Sequence, residues 1–210
     1  GSLVIQHNNI LQTLNGFRSL NSINRLSINN NDMLLNLGEF NSLINIESEI
    51  SIVRNELLQN LDGISSNKNE KLDNIYIQIN PSLENLRGLI NITDVKIISI
   101  NSNDSLLDLD GLQNLKYANG FSRNGIYLYS NKKLKNIDAL SNMILTNEIE
   151  IHDNINLSDF CGISHLINSN SYSFLVNFSS FIGFISLFSI SFLYSKSSSN
   201  ALKLLGNSTI

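Results

Sequence analysis

The chain has 210 residues, one cysteine, one proline and a formal net charge of −4. A single cysteine excludes an internal disulfide framework. Up to residue 170 there are 12 Lys and Arg against 18 Asp and Glu with no basic stripe, which argues against nucleic acid as a partner.

In chain order, the first element is a short strand around Leu3 and Ile5, followed by Asn8, Leu11, Leu14, Gly16 and Phe17. This unit, L-x-I-x-x-N-x-x-L-x-x-L-x-G-[FL]-x-x-L, recurs six more times and ends near Leu166. The second apolar residue of each strand falls at Ile5, Ile28, Ile52, Ile77, Ile100, Leu128 and Ile151, in steps of 23, 24, 25, 23, 28 and 23 residues. A fixed period of this length makes each unit one turn of a solenoid. The pair such as Leu26 and Ile28 has period two, so both side chains face one side of a strand. Stacked strands would pair in parallel about 4.8 Å apart, so seven coils of 23–28 residues would span on the order of 30 Å.

Three positions after each strand column stands an asparagine: Asn8, Asn31, Asn55, Asn80, Asn103, Asn131 and Asn154. An inward asparagine can bond backbone groups at a bend and its neighbours above and below, so this column is expected to form a ladder. The bland alternative is a plain turn residue. Apolar columns follow at Leu34, Leu37 and Phe40 and their equivalents, turning the chain and filling the interior. A small residue precedes the last column at Gly16, Gly63, Gly88, Gly111, Ala139 and Gly162, where glycine suggests positive φ or close backbone approach. Glu39 breaks that column in the second repeat. The polar stretch 65–70, in which Asn67 replaces an apolar residue, reads as a bulged loop in the third. The 28-residue step carries 116–124, which reads as an inserted surface loop.

The chain opens at Gly1 and Ser2 directly in a repeat, with neither an initiator methionine nor a signal peptide, which suggests that an N-terminal part lies upstream. After Asn170 the columns stop, so the repeat region is expected over 1–170 and an apolar tail over 171–210. The stretch 174–194 carries no charge, and Phe174, Phe178, Phe181, Phe184, Phe188 and Phe192 recur at steps of 4, 3, 3, 4 and 4. That is helical spacing, and a helix of this length would reach about 32 Å, enough to span a bilayer. Asn177 and the serines inside it stand against a membrane segment. Two other readings stay open: a hydrophobic cap over the last coil, with Ile185, Leu187, Ile190 and Phe192 alternating as strands would, and a translated artefact such as a shifted reading frame.

The repeat resembles the receptor L-domain type of leucine-rich repeat, best in residues 3–23, 26–46 and 98–115. In surface proteins of the Bacteroidetes group the unit reads L-x-I-x-N-N-x-x-L-x-x-L-x-G-L-x-x-L-x-x-I, and the phrase at 157–166 with Phe160 and Cys161 resembles the family's last coil. The resemblance implies a right-handed parallel β-solenoid, secreted or attached to the cell surface (the outer membrane in a bacterium). The family often carries a second cysteine beyond the last coil, and this chain has none.

Few residues suggest chemistry. Cys161 and His165 sit four apart, but no motif supplies an orienting group or an oxyanion hole, so a closing cysteine and a surface histidine is the favoured reading. His7, His152 and His165 show no metal-ligand spacing, and Asp104, Asp108 and Asp110 lack the glycine and glutamate of a calcium loop. Neither a phosphate-binding glycine loop nor G-x-S-x-G is present, so no cofactor is expected. Sequons at Asn91, Asn156, Asn177 and Asn207 matter mainly in a eukaryote. Recognition would instead use outward strand positions. Tyr76, Gln78, Tyr127, Tyr129 and His152 lie there, and tyrosine makes low-entropy contacts while amides beside aromatics suit carbohydrate. A merely solvated sheet face is the competing reading. The expectation is therefore a non-enzymatic surface or secreted repeat protein that binds an extracellular protein or carbohydrate, with membrane association through 174–194. The alternative is a structural spacer without its own ligand.

Overall fold

The structure is a computed structural model that describes residues 1–40, 42–65, 67–120, 124–167 and 173–177. It is mainly β. The strands are β1 (Ser2–Gln6), β2 (Ser22–Asn29), β3 (Asn45–Val53), β4 (Lys71–Gln78), β5 (Asp94–Asn101), β6 (Tyr117–Ala118), β7 (Gly125–Tyr129), β8 (Leu145–Thr146), β9 (Glu148–His152) and β10 (Ser173–Asn177). All ten belong to one sheet, in the order β1-β2-β3-β4-β5-β7-β9-β10, with β6 and β8 extending it beside β5. Every pairing is parallel.

The register follows the repeat. Ile5, Ile28, Ile52, Ile77, Ile100, Leu128 and Ile151 lie opposite one another from strand to strand. Leu26 and Ile28 point inward and are completely buried; the small Ser27 between them is also buried, and Asn29 beyond them is half-buried. Beyond β1, β2, β3, β4, β7 and β9 the chain bends into a short 3-10 turn, as at Gly38–Phe40, Asp62–Ile64, Arg87–Leu89 and Cys161–Ile163. The turn brings the later apolar columns back under the sheet, so Leu34, Leu37, Phe40 and their equivalents join the strand residues in one continuous core. The second repeat keeps its turn despite Glu39.

The glycine column is explained by close approach, joined at Gly111 by a positive φ of 120°. A Cβ on Gly63, Gly88, Gly111 or Gly162 would lie 1.5, 2.0, 2.0 or 2.0 Å from the carbonyl oxygen of Leu37, Leu61, Leu86 or Ile137 in the preceding repeat. Gly16, in the first repeat, has nothing within 4 Å. Glycine is thus the residue that lets one turn settle on the backbone of the last.

The irregular steps are absorbed locally. The 24-residue step contains a bulge where the register shifts between Ile23 and Arg25. In the third repeat Asn67 is buried, and its Oδ1 accepts the Ile46 N–H at 3.0 Å, a polar substitute for the missing apolar residue. The 28-residue step places its extra chain between β6 and β7.

At its start the tail departs from the helical reading, one of the three left open for it. Residues Ser173–Asn177 are strand β10, paired in parallel with β9, with Phe174 opposite Ile149 and Val176 opposite Ile151. The sheet therefore runs past residue 170, and the expected helix does not begin at Phe174. The physical reason is the edge of β9, whose unpaired N–H and C=O groups are satisfied by another strand. The phenylalanine spacing read as helical hid the period-two pair Phe174 and Val176. The rest of the apolar stretch, 178–194, lies outside the described residues. Among the described residues no helix is long and apolar enough to cross a membrane.

Candidate functional site

The seven asparagines Asn8, Asn31, Asn55, Asn80, Asn103, Asn131 and Asn154 are brought into one line just beyond the strand ends. Asn31, Asn55, Asn80, Asn103 and Asn131 are completely buried. Each Oδ1 from Asn31 onward accepts the backbone N–H of the preceding asparagine, at 3.2, 3.1, 3.1, 3.1, 3.1 and 2.9 Å. Each Nδ2 donates to the carbonyl of the preceding strand column, for example Asn80 to Ile52 at 2.9 Å and Asn131 to Ile100 at 2.8 Å. The amide so pairs backbone groups that the bend would otherwise leave buried and unsatisfied. The residue before every ladder asparagine has positive φ: His7, Asn30, Arg54, Ile79, Ser102, Ser130 and Asp153, between 55° and 59°.

Two further columns escaped the sequence reading. Five residues after the ladder, Asn36, Asn60, Asn85, Asp108, Asn136 and Asp159 each accept the backbone N–H two residues on, at 2.7–3.2 Å. This is an Asx turn, and it opens the 3-10 turn in five of these six repeats, Asp108 being the exception. Eleven after the ladder, Asn91, Asn114 and Asn142 donate to carbonyls of the preceding repeat, at Ser65, Ile90 and Gln113. His165 occupies the same column, and its Nε2 donates to the Met143 carbonyl at 2.6 Å. A column that mixes Asn with Asp or His shows no single letter to follow, which is why both were missed.

The outward residues separate into two groups. Tyr127, Tyr129 and His152 come together where β7 meets β9, with Tyr129 opposite His152. The Tyr127 and Tyr129 rings meet edge-on at 6.2 Å, and those of Tyr129 and His152 at 5.1 Å. Glu148 and Glu150, which the sequence reading did not select, complete the cluster. The Tyr127 hydroxyl donates to Glu148 Oε2 at 2.9 Å, and the Tyr129 hydroxyl donates to Glu150 Oε2. His152 Nε2 is 3.8 Å from the same Glu150 oxygen and makes no hydrogen bond. Burial, then the Glu150 hydrogen bond and charge, push the Tyr129 phenol well above its ordinary range.

Gln78 joins this cluster indirectly. Its Nε2 donates to Ser99 Oγ at 2.9 Å, Asn101 donates to the same oxygen at 2.8 Å, and Asn101 Oδ1 accepts the Tyr129 N–H at 3.2 Å. Tyr76 stands apart, opposite Ser51 and Ser99 rather than another aromatic. Burial first, then the Glu49 charge, raise its phenol.

The residues with nucleophilic or metal-binding chemistry have other partners. Asp159 is hydrogen-bonded to Cys161, which raises the thiol and lowers the carboxyl. A raised thiol holds less of the nucleophilic thiolate. Asp104 pairs with Lys132 at 2.7 Å, Asp108 caps its own turn, and Asp110 accepts from Gln113 at 3.1 Å. Among the described residues no group of three or more His, Cys, Asp or Glu could hold a metal ion.

Comparison of the chain with family models, with curated proteins and with solved structures finds no match.

Proposed function

We propose that the chain is a leucine-rich β-solenoid of the receptor L-domain type, displayed at a cell surface or secreted, that binds a protein or carbohydrate through the outer face of its parallel sheet at β7 and β9. The observation that carries this reading is the convergence of Tyr127, Tyr129 and His152, all half-buried, on adjacent strands. Tyrosines pre-placed on a hydrogen-bonded sheet lose little freedom when a ligand arrives. The ladder beneath them holds the strand ends in fixed register, so the face acts as a rigid display rather than a closing cleft. The solenoid itself is supported by the parallel pairing at repeat-length intervals and by one core running through all the repeats. No reaction is proposed for it.

The test is retention of the full chain on glycan arrays and on panels of extracellular proteins, with and without the paired change Tyr127→Ala and Tyr129→Ala. Loss of retention by a form that still melts cooperatively well above the binding temperature supports the binding face. Equal retention by both forms, or none by the native chain, would leave the face as the surface of a spacer.

A further inference from the structure

The same cluster has a charge character that selects among ligands. β9 presents Glu148 and Glu150 two residues apart on one side, and neither β7 nor β9 contains a lysine or arginine. Elsewhere on the sheet Glu49 is neutralised by Arg25 at 3.2 Å, and Lys96 of β5 is held by Asp73 at 2.7 Å. Among the described residues no lysine or arginine pairs with Glu148 or Glu150. Their contacts are the two tyrosine hydroxyls and the His152 ring at 3.8 Å. A carboxylate offers about four acceptor positions, so each retains capacity for a further donor. Arg123 lies outside the described residues.

Alternate residues of a strand are about 7 Å apart, and an extended peptide has the same spacing. Beside each carboxylate lies a tyrosine ring, over which the stem of a long basic side chain can pack while its charge meets the carboxylate. Resting on the binding-face reading above, we infer that this patch takes an extended peptide segment bearing lysine or arginine at alternate positions. The occupant's backbone runs along β7 and β9, and two successive basic side chains reach Glu148 and Glu150.

The experiment uses the full chain and a fluorescein-labelled Lys-Ser-Lys-Ser-Lys peptide, with a Gln-Ser-Gln-Ser-Gln peptide as the neutral partner, read by anisotropy. The lysine peptide should bind at least tenfold more tightly than the glutamine peptide. Raising the salt from about 50 to about 300 mM should weaken it several-fold, since the contacts are exposed to screening. The paired change Glu148→Gln and Glu150→Gln should lower its affinity at least tenfold while the chain still melts cooperatively well above the binding temperature. The control pair Glu56→Gln and Glu84→Gln, exposed and off this face, should leave it as it was. Equal binding of both peptides, or full binding by the Glu148→Gln and Glu150→Gln form, would overturn the inference. If a neutral glycan or protein is retained in a manner that Tyr127→Ala and Tyr129→Ala abolish, while the lysine peptide gains nothing, the inference falls and the binding face stands.

Discussion

Asn131 and Tyr129 are two residues apart, yet they belong to different regimes. At the ladder the group is the same in every repeat, and the bond joining one to the next keeps to 2.9–3.2 Å. On the outer face, at Gln6, Asn29, Val53, Gln78, Asn101, Tyr129 and His152, no two neighbours agree. The backbone is the same in both, so the difference comes from what the side chain must do. A ladder asparagine serves backbone groups of the repeat before it and is served by the repeat after it, so each repeat must supply an amide. An outward residue owes nothing to its neighbours, and a cluster of aromatics and carboxylates there is not demanded by stacking.

The strongest way to break this comparison is to substitute on the inner side. Asn80→Leu removes the acceptor for the Asn55 N–H and the donor to the Ile52 carbonyl, both fully enclosed. An orphaned buried polar group costs about 1–3 kcal/mol, so the pair predicts a loss of about 3–5 kcal/mol in chemical denaturation. Asn103→Leu should act alike. A denaturation midpoint unchanged by either would mean that the amides are turn residues only. The outer change Tyr127→Ala with Tyr129→Ala should move the same midpoint far less while removing ligand.

Glycine supplies the same contrast along the chain axis. Gly88→Ala puts a Cβ 2.0 Å from the Leu61 carbonyl oxygen, so the two turns must separate. Overpacking of this sort costs about 1–3 kcal/mol. Gly16→Ala meets nothing within 4 Å and should be nearly silent. Comparable losses at both sites would show that glycine is needed for its own backbone rather than for its neighbour.

These columns mark how far the sequence could be read. Strand register, apolar interior and the asparagine line are visible because each repeat meets the same demand with the same letter. The Asx turn opened by Asn36, Asn60 or Asp108 is satisfied equally by Asn or Asp, so its column blurs. The positive-φ column is invisible, because His7, Arg54, Ile79 and Asp153 share no chemistry, only a backbone angle. In the candidate site, Tyr127, Tyr129 and His152 could be placed from register alone. Glu148 and Glu150 could not be selected, because nothing in a linear reading says that a tyrosine hydroxyl leans diagonally onto the next strand. Phe174 and Val176 were overlooked for a different reason: a phenylalanine spacing that suits a helix overlies a period of two that suits a strand.

The Tyr129 phenol sharpens the outer side through pH. Its pKa is raised above the ordinary value of 10.0. The folded state thus holds this proton more tightly than the unfolded chain does. The stability it contributes is fully present below about pH 10 and is lost as pH rises beyond that through the folded value. Tyr129→Phe should therefore lower the melt near neutrality, where the Glu150 bond is present, and flatten the fall in stability above pH 10. Absorbance titration near 295 nm should show one phenol fewer in the late-ionising group. An unchanged alkaline limb would mean that the Glu150 contact is not kept in solution.

The smallest expected effect lies at the hinge between the two sides. Ile79 has φ of 56°, a conformation that costs an L-residue about 1–2 kcal/mol and suits a β-branched side chain least. Its side chain is exposed, so little packing offsets that cost. Asn30, at the equivalent place in the second repeat, is of the type that visits this region most readily. Ile79→Asn should therefore stabilise the chain, by about 0.5–1 kcal/mol, and raise the thermal midpoint by a few degrees. The ladder asparagine that follows, Asn80, would keep all its bonds, because only the side chain before it changes. A fall in stability would mean instead that Ile79 is covered by an apolar partner, so that one exposed position in the hinge column already belongs to an interface.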